Sequence, residues 1–285
     1  MEQAWLIVNA FLHSESFVRM EKLLQASAMD SGIVMVLKTN ADFLNADSLK
    51  KTPKAALFFD KDIRLAKRME QAGMRLFNSA QAIAVCDDKT LTALELDEAH
   101  LPQPQTILCP MSFPGIGYGN LDFLETIADQ LSFPLVVKEG KGSFGRQVYL
   151  AQNMEQLKAT VIQIGHKEIL FQRFIRESAG QDLRLYVVGS QVIASIRRIN
   201  LQGDFRANLE NGGTAYSYQP TQEETDLALK ACAACRTDFA GVDLLLGREG
   251  PLVCEVNSNA HFLGLMAVTG INPANAIMRL IKAAL

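Results

Sequence analysis

The sequence predicts an α/β (α+β) fold class, with a parallel sheet first and antiparallel strands later. In the first third of the 285 residues, short apolar runs alternate with helical patterns, beginning with a strand at 5–9 and a helix at 16–30. Strands separated by helices indicate a parallel sheet. In the last third, two strands with alternating polarity meet at Gly189-Ser190, a favourable two-residue hairpin turn.

These changes of pattern predict three parts. An N-terminal α/β domain is expected at 1–84, a central lobe at 85–172 and a C-terminal lobe at 173–285. Single helices are predicted over 79–95 and 222–239. No GxGxxG follows the first strand, so the N-terminal domain lacks the dinucleotide-binding fingerprint and is expected to form one side of a cleft.

Composition narrows the classes of function. The chain is 48% hydrophobic and 21% charged, as in a soluble globular protein, and its formal net charge is −3. This charge gives no long-range attraction for nucleic acid or anionic membranes. No apolar run approaches the length of a membrane span. No Lys or Arg precedes the apolar stretch 4–8, so a secretory signal is not expected and a cytoplasmic location is predicted.

The five cysteines include one CxxC pair, Cys232 and Cys235. Such a pair serves redox or metal chemistry in some proteins. In the predicted helix 222–239, however, residues three apart share a face, and the neighbouring apolar residues suit a buried side. We therefore interpret the two as core thiols.

The stretch CEVNSNAHF (254–262) follows an apolar run with polar residues. On a strand, Glu255 and Asn257 point to the same face, and Val256 points into the core. A carboxylate and a carboxamide oxygen side by side suit a hard cation such as magnesium. The alternative is a strand that ends in an ordinary polar turn.

The stretch PLVVKEGKGSFGRQVYLA (134–151) places Lys138 at the end of a buried strand, before three glycines. Glycines allow successive backbone N–H groups to approach phosphate oxygens. The pattern is not a Walker A motif, which leads into a helix. It fits a hairpin loop over a nucleotide, or a plain hairpin with a glycine-rich tip.

Three further segments carry candidate polar residues. Asp182 and Arg184 share one face of a strand, and Arg206 and Asn208 lie in a loop with few apolar residues. Asp243 lies within an apolar strand. Because a buried carboxylate without a partner is costly, Asp243 is expected to accept hydrogen bonds or to bind a metal.

In order and spacing, these segments resemble the ATP-grasp superfamily. The segments DLRLYVVGSQVIASIRR, GDFRANLENGG and AGVDLLLGREGPLVCEVNS are most similar to its RimK-like glutamate ligases. The resemblance is strong over 130–285 and weaker before. It implies an ATP-grasp fold, in which an N-terminal parallel α/β domain precedes two lobes that enclose ATP.

The resemblance also implies roles for individual residues. Magnesium, or manganese in its place, would be held on the ATP phosphates by Asp243, Glu255 and Asn257. The expected ATP-binding residues are Lys89, Lys138, Gly142, Ser143, Gly145, Arg173, Phe174, Asp182, Arg206 and Asn208. Among these, Arg206 and Asn208 would lie near the transferred phosphoryl group and act in catalysis. Expected substrate contacts are Arg184, Arg198, Asn259 and His261.

The implied activity is ATP-dependent ligation of a carboxylate and an amine through an acylphosphate. The substrates would be an amino acid, such as glutamate, and a carboxylate on a peptide, a protein or a metabolite. One alternative is a ligase of small-molecule biosynthesis. Another is a nucleotide-binding protein without turnover, but the presence of all three expected metal ligands argues against this second alternative. A homo-oligomer is a further expectation.

The sequence departs from the RimK-like pattern in three places. Arg173 stands where an acidic residue is common, Ile199 where another arginine is common, and Ser258–Phe262 where the pattern has Ser-Pro-Gly. The last two departures bear on the substrate rather than on ATP.

Overall fold

Three β-sheets follow one another along the chain. The structure is a computed structural model and describes residues 2–143, 145–209 and 212–285. The strands are β1 (Glu2–Val8), β2 (Ile33–Thr39), β3 (Ala55–Phe59), β4 (Arg75–Phe77), β5 (Thr106–Leu108), β6 (Leu135–Glu139), β7 (Val148–Ala151), β8 (Ile169–Arg173), β9 (Gln181–Val188), β10 (Gln191–Asn200), β11 (Gly213–Ser217), β12 (Phe239–Gly247) and β13 (Gly250–Asn257).

Helices cover the sheets. They are α1 (Glu15–Asp30), α2 (Ile63–Gln71), α3 (Ala80–Cys86), α4 (Lys89–Glu98), α5 (Phe123–Leu131), α6 (Met154–Ile164), α7 (Gln222–Ala234), α8 (Leu263–Thr269) and α9 (Pro273–Lys282). None of these helices combines the length and the apolar character that crossing a membrane requires.

The first sheet has the order β2-β1-β3-β4, and all of its strands are parallel. The predicted parallel α/β start of the chain is therefore confirmed. All five residues of β3 are buried, as expected of an apolar run covered on both faces. Ligands of such sheets bind at the carboxyl ends of the strands, which here are the segments after β1 and β3.

The other two sheets are antiparallel. The second has the order β5-β8-β6-β7, and the third has the order β11-β10-β9-β12-β13. Their strands β6, β9, β12 and β13 carry six of the polar residues that the sequence singles out, namely Lys138, Asp182, Arg184, Asp243, Glu255 and Asn257. Period-two alternation directs one side-chain set of each strand into a core and the other toward the space between the sheets.

Two long helices predicted from the sequence are wrong in their extent. The helix predicted over 79–95 is in fact two helices, α3 and α4. Asp88 caps the start of α4, because its carboxylate accepts the N–H groups of Thr90 and Leu91. The prediction over 222–239 continues too far. Arg236 has a positive φ of 56°, so α7 ends before it and the chain turns into β12.

The CxxC pair belongs to a hydrophobic core. Cys232 and Cys235 are 3% and 0% exposed, and they pack with Cys86 and the buried leucines of β9 and β12. Burial raises the pKa of the Cys232 thiol to about 12, so this thiol stays protonated at neutral pH. The interpretation as core thiols is confirmed.

Asn78 joins the first sheet to the C-terminal part of the chain. Its side chain is fully buried, and its amide group donates to the carbonyls of Phe239 (2.9 Å) and Ser258 (2.8 Å). Its Oδ1 accepts the N–H of Asp238 at 2.6 Å. It also accepts the N–H of Phe239 at 3.3 Å, so one side chain satisfies four backbone groups on two segments.

We expect Asn78→Ala to lower the free energy of unfolding by about 3 kcal/mol, because it leaves these backbone groups without partners. Urea denaturation measures the difference. Asn45→Ala, at an exposed position, is the control and should leave the unfolding midpoint unchanged. Equal stability of the Asn78 variant and the wild type would contradict this view of the joint.

Candidate active site

A cleft lies between the second and third sheets. It gathers all but one of the residues predicted to bind nucleotide or metal. Those that line it are Lys89, Lys138, Gly142, Ser143, Gly145, Arg173, Phe174, Asp182, Arg206, Asn208, Asp243 and Glu255. We call it the first cleft. The twelve residues are spread over 167 positions of the chain (89–255) yet converge on one space.

Two ammonium groups face the first cleft. Lys138 on β6 is only 8% exposed, and its Nζ lies 3.6 Å from the Cys254 Sγ. Within the described part of the chain, no carboxylate lies at ion-pair distance from it. Lys89, the first residue of α4, contacts the Gly142 carbonyl at 2.9 Å and the Glu255 carboxylate at 3.5 Å. A buried cation without a carboxylate partner favours an anionic ligand.

The glycine-rich loop closes one side of the first cleft. Phe144 lies outside the described residues, as do residues 210 and 211 of the loop at 203–213. Gly145 has a φ of 67°, and its carbonyl accepts from Arg206 at 2.7 Å. The hydroxyl of Ser143 lies 3.3 Å from the Lys61 Nζ, which also pairs with Asp87. The loop is thus tied to a C-terminal arginine and to an N-terminal lysine.

Four charged residues on adjacent strands form a buried network. Arg198 on β10 binds both oxygens of Asp182 at 2.6 and 2.7 Å and reaches Asp243 at 2.9 Å. Arg184 on β9 binds both oxygens of Asp243 at 2.7 Å. Burial alone would raise the pKa of Asp243, but the two arginines outweigh it and lower the pKa. Asp243 is therefore ionised and hydrogen-bonded, as the sequence predicts for a buried aspartate.

The network changes the expectation for Arg198. Its side chain is 3% exposed, and it lines neither the first cleft nor the neighbouring cleft described below. The structure places it between two carboxylates, where it fixes their positions. A direct contact of Arg198 with substrate stays a prediction from the sequence. Asp182, predicted to bind ribose, lines the first cleft while both its oxygens are held by Arg198.

The three predicted metal ligands lie on β12 and β13. Asp243 and Glu255 are cross-strand neighbours, and Asn257 lies opposite Gly241. The amide nitrogen of Asn257 lies 3.5 Å from the Gly241 carbonyl, so its oxygen is the group available to a cation. Among the described residues, no group of three or more His, Cys, Asp or Glu could hold a metal. Carboxylate and amide oxygens fit Mg²⁺, with further ligands coming from a bound phosphate.

A second cleft continues from the first, with which it shares Ser143, Asn208 and Glu255. Its volume of about 470 Å³ is in the range of small-molecule sites. Asn257 lines this cleft, together with three of the predicted substrate contacts, namely Arg184, Asn259 and His261. Its opposite wall comes from the segments after β1 and β3.

Comparison with known proteins identifies this arrangement. Residues 105–281 match the RimK-like ATP-grasp domain, which is more than half of the chain. The chain belongs to the RimK-like ATP-grasp family. The family match covers both antiparallel sheets, and thus the first cleft except for Lys89 and Pro104.

Named relatives cover different shares of the chain. An uncharacterized protein of Mycoplasma pneumoniae is 33% identical over 88% of this chain and 89% of its own length. The ribosomal protein bS6–L-glutamate ligase of Escherichia fergusonii is 34% identical over 76% and 70%. Human N-acetylaspartylglutamate synthase A is 35% identical over 75% of this chain. The chain spans only 54% of that synthase.

Solved structures share the fold across almost the whole chain. D-alanine–D-alanine ligase from Bacillus anthracis superposes with a TM-score of 0.76 at 16% identity, covering 99% of this chain and 97% of that one. A RimK domain ATP-grasp protein from Sphaerobacter thermophilus gives 0.74 at 20% identity, covering 96% and 98%. The predicted RimK-like resemblance, ATP-grasp fold and ligase class are confirmed.

Sequence reasoning missed the N-terminal wall of the second cleft in this RimK-like chain. Asn9, Asp60 and Lys61 all lie there, directly after β1 and β3. The available signal was their position, because the carboxyl ends of neighbouring parallel strands meet at one edge of a sheet. Lys61 is the most informative omission, since it is the N-terminal residue that contacts the glycine-rich loop.

Proposed function

We propose that this RimK-like protein is an ATP-dependent carboxylate–amine ligase. A substrate carboxylate would attack the γ-phosphorus of ATP to give an acylphosphate and ADP. An amine would then displace phosphate and form the amide. The observation that carries the proposal is the buried ammonium of Lys138, which has no carboxylate partner among the described residues. It lies in a cleft that also holds Lys89, a glycine-rich loop and the carboxylates of β12 and β13.

The residues of the first cleft divide the work of holding ATP. Lys89 and Lys138 neutralise phosphate charge, while Ser143 and the flanking glycines cover the phosphates. Arg173, the last residue of β8, and Phe174 after it would contact adenine, and Asp182 would contact the ribose. Arg206 is held by Asp204 at 2.7 Å and by the Gly145 carbonyl, so its guanidinium is positioned before the transferred phosphoryl group arrives.

Asp243, Glu255 and Asn257 would hold Mg²⁺ or Mn²⁺ against the phosphates. The cation supplies charge neutralisation at the transferred phosphoryl group. Around it, Lys89 keeps Glu255 in place, and Arg184 with Arg198 keeps Asp243 ionised. Asn208 lines both clefts and is placed to contact the phosphoryl group as it moves from one to the other.

The substrates would meet in the second cleft, which adjoins the phosphate end of the first. Names of relatives indicate glutamate as one substrate class, for those proteins. For this chain we propose an amino acid or a related amine, with a carboxylate on a peptide, protein or metabolite as its partner. A cytoplasmic location, where ATP is available, and a homo-oligomer stay predictions from the sequence.

The proposal is tested by measuring ADP release with Mg·ATP across amines and acceptor carboxylates. Release that requires both an amine and a carboxylate, with an amide as product, would support it. ATP binding without amide formation under any pairing would favour a nucleotide-binding protein without turnover.

Lys138→Ala should raise the Kd for Mg·ATP at least about tenfold, because a charge-assisted phosphate contact is lost in a buried site. Calorimetry on the wild type and the variant gives the two constants. Lys67→Ala removes an exposed lysine on α2, away from both clefts, and should have little effect. Equal affinities for the Lys138 and Lys67 variants would mean that Lys138 is only a strand residue.

A further inference from the structure

The N-terminal wall of the second cleft carries an acidic group whose charge is not neutralised. Asp60 is 7% exposed and lines the cleft. Its Oδ1 accepts the Lys61 N–H at 2.6 Å and the Asn9 amide at 3.1 Å, while its Oδ2 has only a 3.4 Å contact with Asn9. No Lys or Arg among the described residues lies within ion-pair distance of this carboxylate.

The side-chain oxygen of Asn259, on the opposite wall, lacks a hydrogen-bond donor among the described residues. The amide nitrogen of Asn259 donates to the Asp60 carbonyl at 2.8 Å, which fixes the orientation of the amide. Its Oδ1 is buried and has no hydrogen-bond partner within the described chain. Among the described residues, the Asp60 carboxylate is therefore contacted only by neutral donors, and the backbone carbonyl of the same residue fixes Asn259 from the opposite wall.

The lysine and the arginine that line the second cleft, Lys61 and Arg184, both form ion pairs with carboxylates. Lys61 pairs with Asp87, and Arg184 binds both oxygens of Asp243. The third carboxylate of the cleft, Glu255, is opposed by Lys89. Among the Lys, Arg, Asp and Glu side chains described at the cleft, Asp60 is thus the one whose charge is not opposed by an ion pair. A ligand with an additional carboxylate would meet no uncommitted Lys or Arg among the residues described there.

Apolar side chains complete the same wall. Phe17 and Phe59 are buried beneath it, whereas Phe11 and Leu12 are 82% and 44% exposed at the cleft. A ligand that brings an ammonium group to Asp60 can lay an apolar group against these residues.

We propose that the second cleft binds the amine substrate as a cation, with its ammonium group on Asp60, and that this substrate carries an apolar group and no net negative charge. The inference rests on the proposed ligase function and narrows its amine. It separates this chain from an enzyme that adds glutamate, whose second carboxylate would meet no unpaired Lys or Arg among the described residues of the cleft.

Three probes of matched size but different charge test the inference. L-leucinamide is cationic, L-leucine is a zwitterion and L-glutamate carries a net negative charge at neutral pH. Calorimetry with the full chain, with and without a non-hydrolysable ATP analogue and Mg²⁺, should show the tightest binding for leucinamide. Its Kd should be at least about tenfold lower than that of glutamate.

Asp60→Asn tests the residue. This variant keeps the shape and an acceptor for the Lys61 N–H but removes the charge. It should weaken leucinamide binding at least about tenfold and leave the affinity for the ATP analogue unchanged. Asp30→Asn, an exposed change of the same kind at the end of α1, is the matched control and should alter neither affinity.

Each outcome decides. Tightest binding of glutamate, equal binding of the three probes, or no binding of any of them by a chain that binds the ATP analogue would overturn the inference and leave the nucleotide site standing. Failure to bind the ATP analogue would instead count against the proposed function, and the probe order measured without nucleotide would still judge the role of Asp60. The wild-type probe order also holds as a test if the Asp60 variant fails to fold.

Discussion

Glu255→Gln is expected to lower the rate of ADP release at least about 100-fold while the chain stays folded. Glu255 lines both clefts, faces Asp243 across β12 and β13, and lies 3.5 Å from the Lys89 Nζ. Glutamine keeps the shape of the side chain but removes its charge. The site would lose a ligand for the cation and the counter-charge that holds Lys89.

The measurement is steady-state ADP release with saturating Mg·ATP and the substrate pair that the wild type uses. Glu249→Gln is the matched control, because Glu249 lies exposed on the turn between the same two strands. Thermal unfolding of both variants shows whether the fold is kept. A rate for Glu255→Gln equal to that of Glu249→Gln would remove Glu255 from the proposed metal site.

Several elements have bounds that follow from a local feature of the sequence. β3 is a run of five buried apolar residues bounded by polar ones. α6 begins after Asn153, whose side chain accepts the Gln156 N–H at 3.0 Å, and ends at Gly165 with a φ of 73°. Where burial and capping agree within a short segment, the sequence is sufficient to predict where a helix or strand begins and ends.

The predicted residues of the first cleft come from the resemblance to the RimK-like ligases, and strand alternation agrees with it where two polar residues lie on one face of a strand. Asp182 and Arg184, two apart on β9, line the first and the second cleft respectively. Contacts between distant segments cannot be predicted in this way. The pairing of Arg184 with Asp243 joins positions 59 apart and depends on the register of β9 with β12. No local pattern encodes that register.

The contact between the two walls of the second cleft could not be predicted from the sequence for the same reason. Asp60 and Asn259 are 199 positions apart, and no local pattern relates them. Their contact exists because the segment after β13 packs against the carboxyl end of the first sheet, where Tyr186 and Phe262 fill the core in an edge-to-face pair. The part of the site that selects the substrate is thus set by tertiary packing.

Arg198→Met should lower the free energy of unfolding by about 3–5 kcal/mol, because it leaves buried carboxylates without their guanidinium partner. Arg198 makes three contacts of 2.6 to 2.9 Å with Asp182 and Asp243. The deficit should shrink as the pH falls toward and below 3.8, the ordinary pKa of an aspartate, because burial raises the pKa of Asp182 and the two arginines lower that of Asp243. Because the folded-state pKa of Asp243 is lowered, its ion pairs stabilise the wild type above that pH and are lost as it protonates.

Urea denaturation at several pH values measures this effect. The control is Arg248→Met, in an ion pair with Glu177 whose arginine side chain is 82% exposed, and it should leave the unfolding midpoint unchanged. The comparison separates burial from charge, since each variant removes one arginine charge from an ion pair, buried in one case and exposed in the other. If the two variants were equally stable, or if the Arg198 deficit did not depend on pH, the network would be only a packing contact. Asp243 would then owe its position to β12 rather than to the arginines.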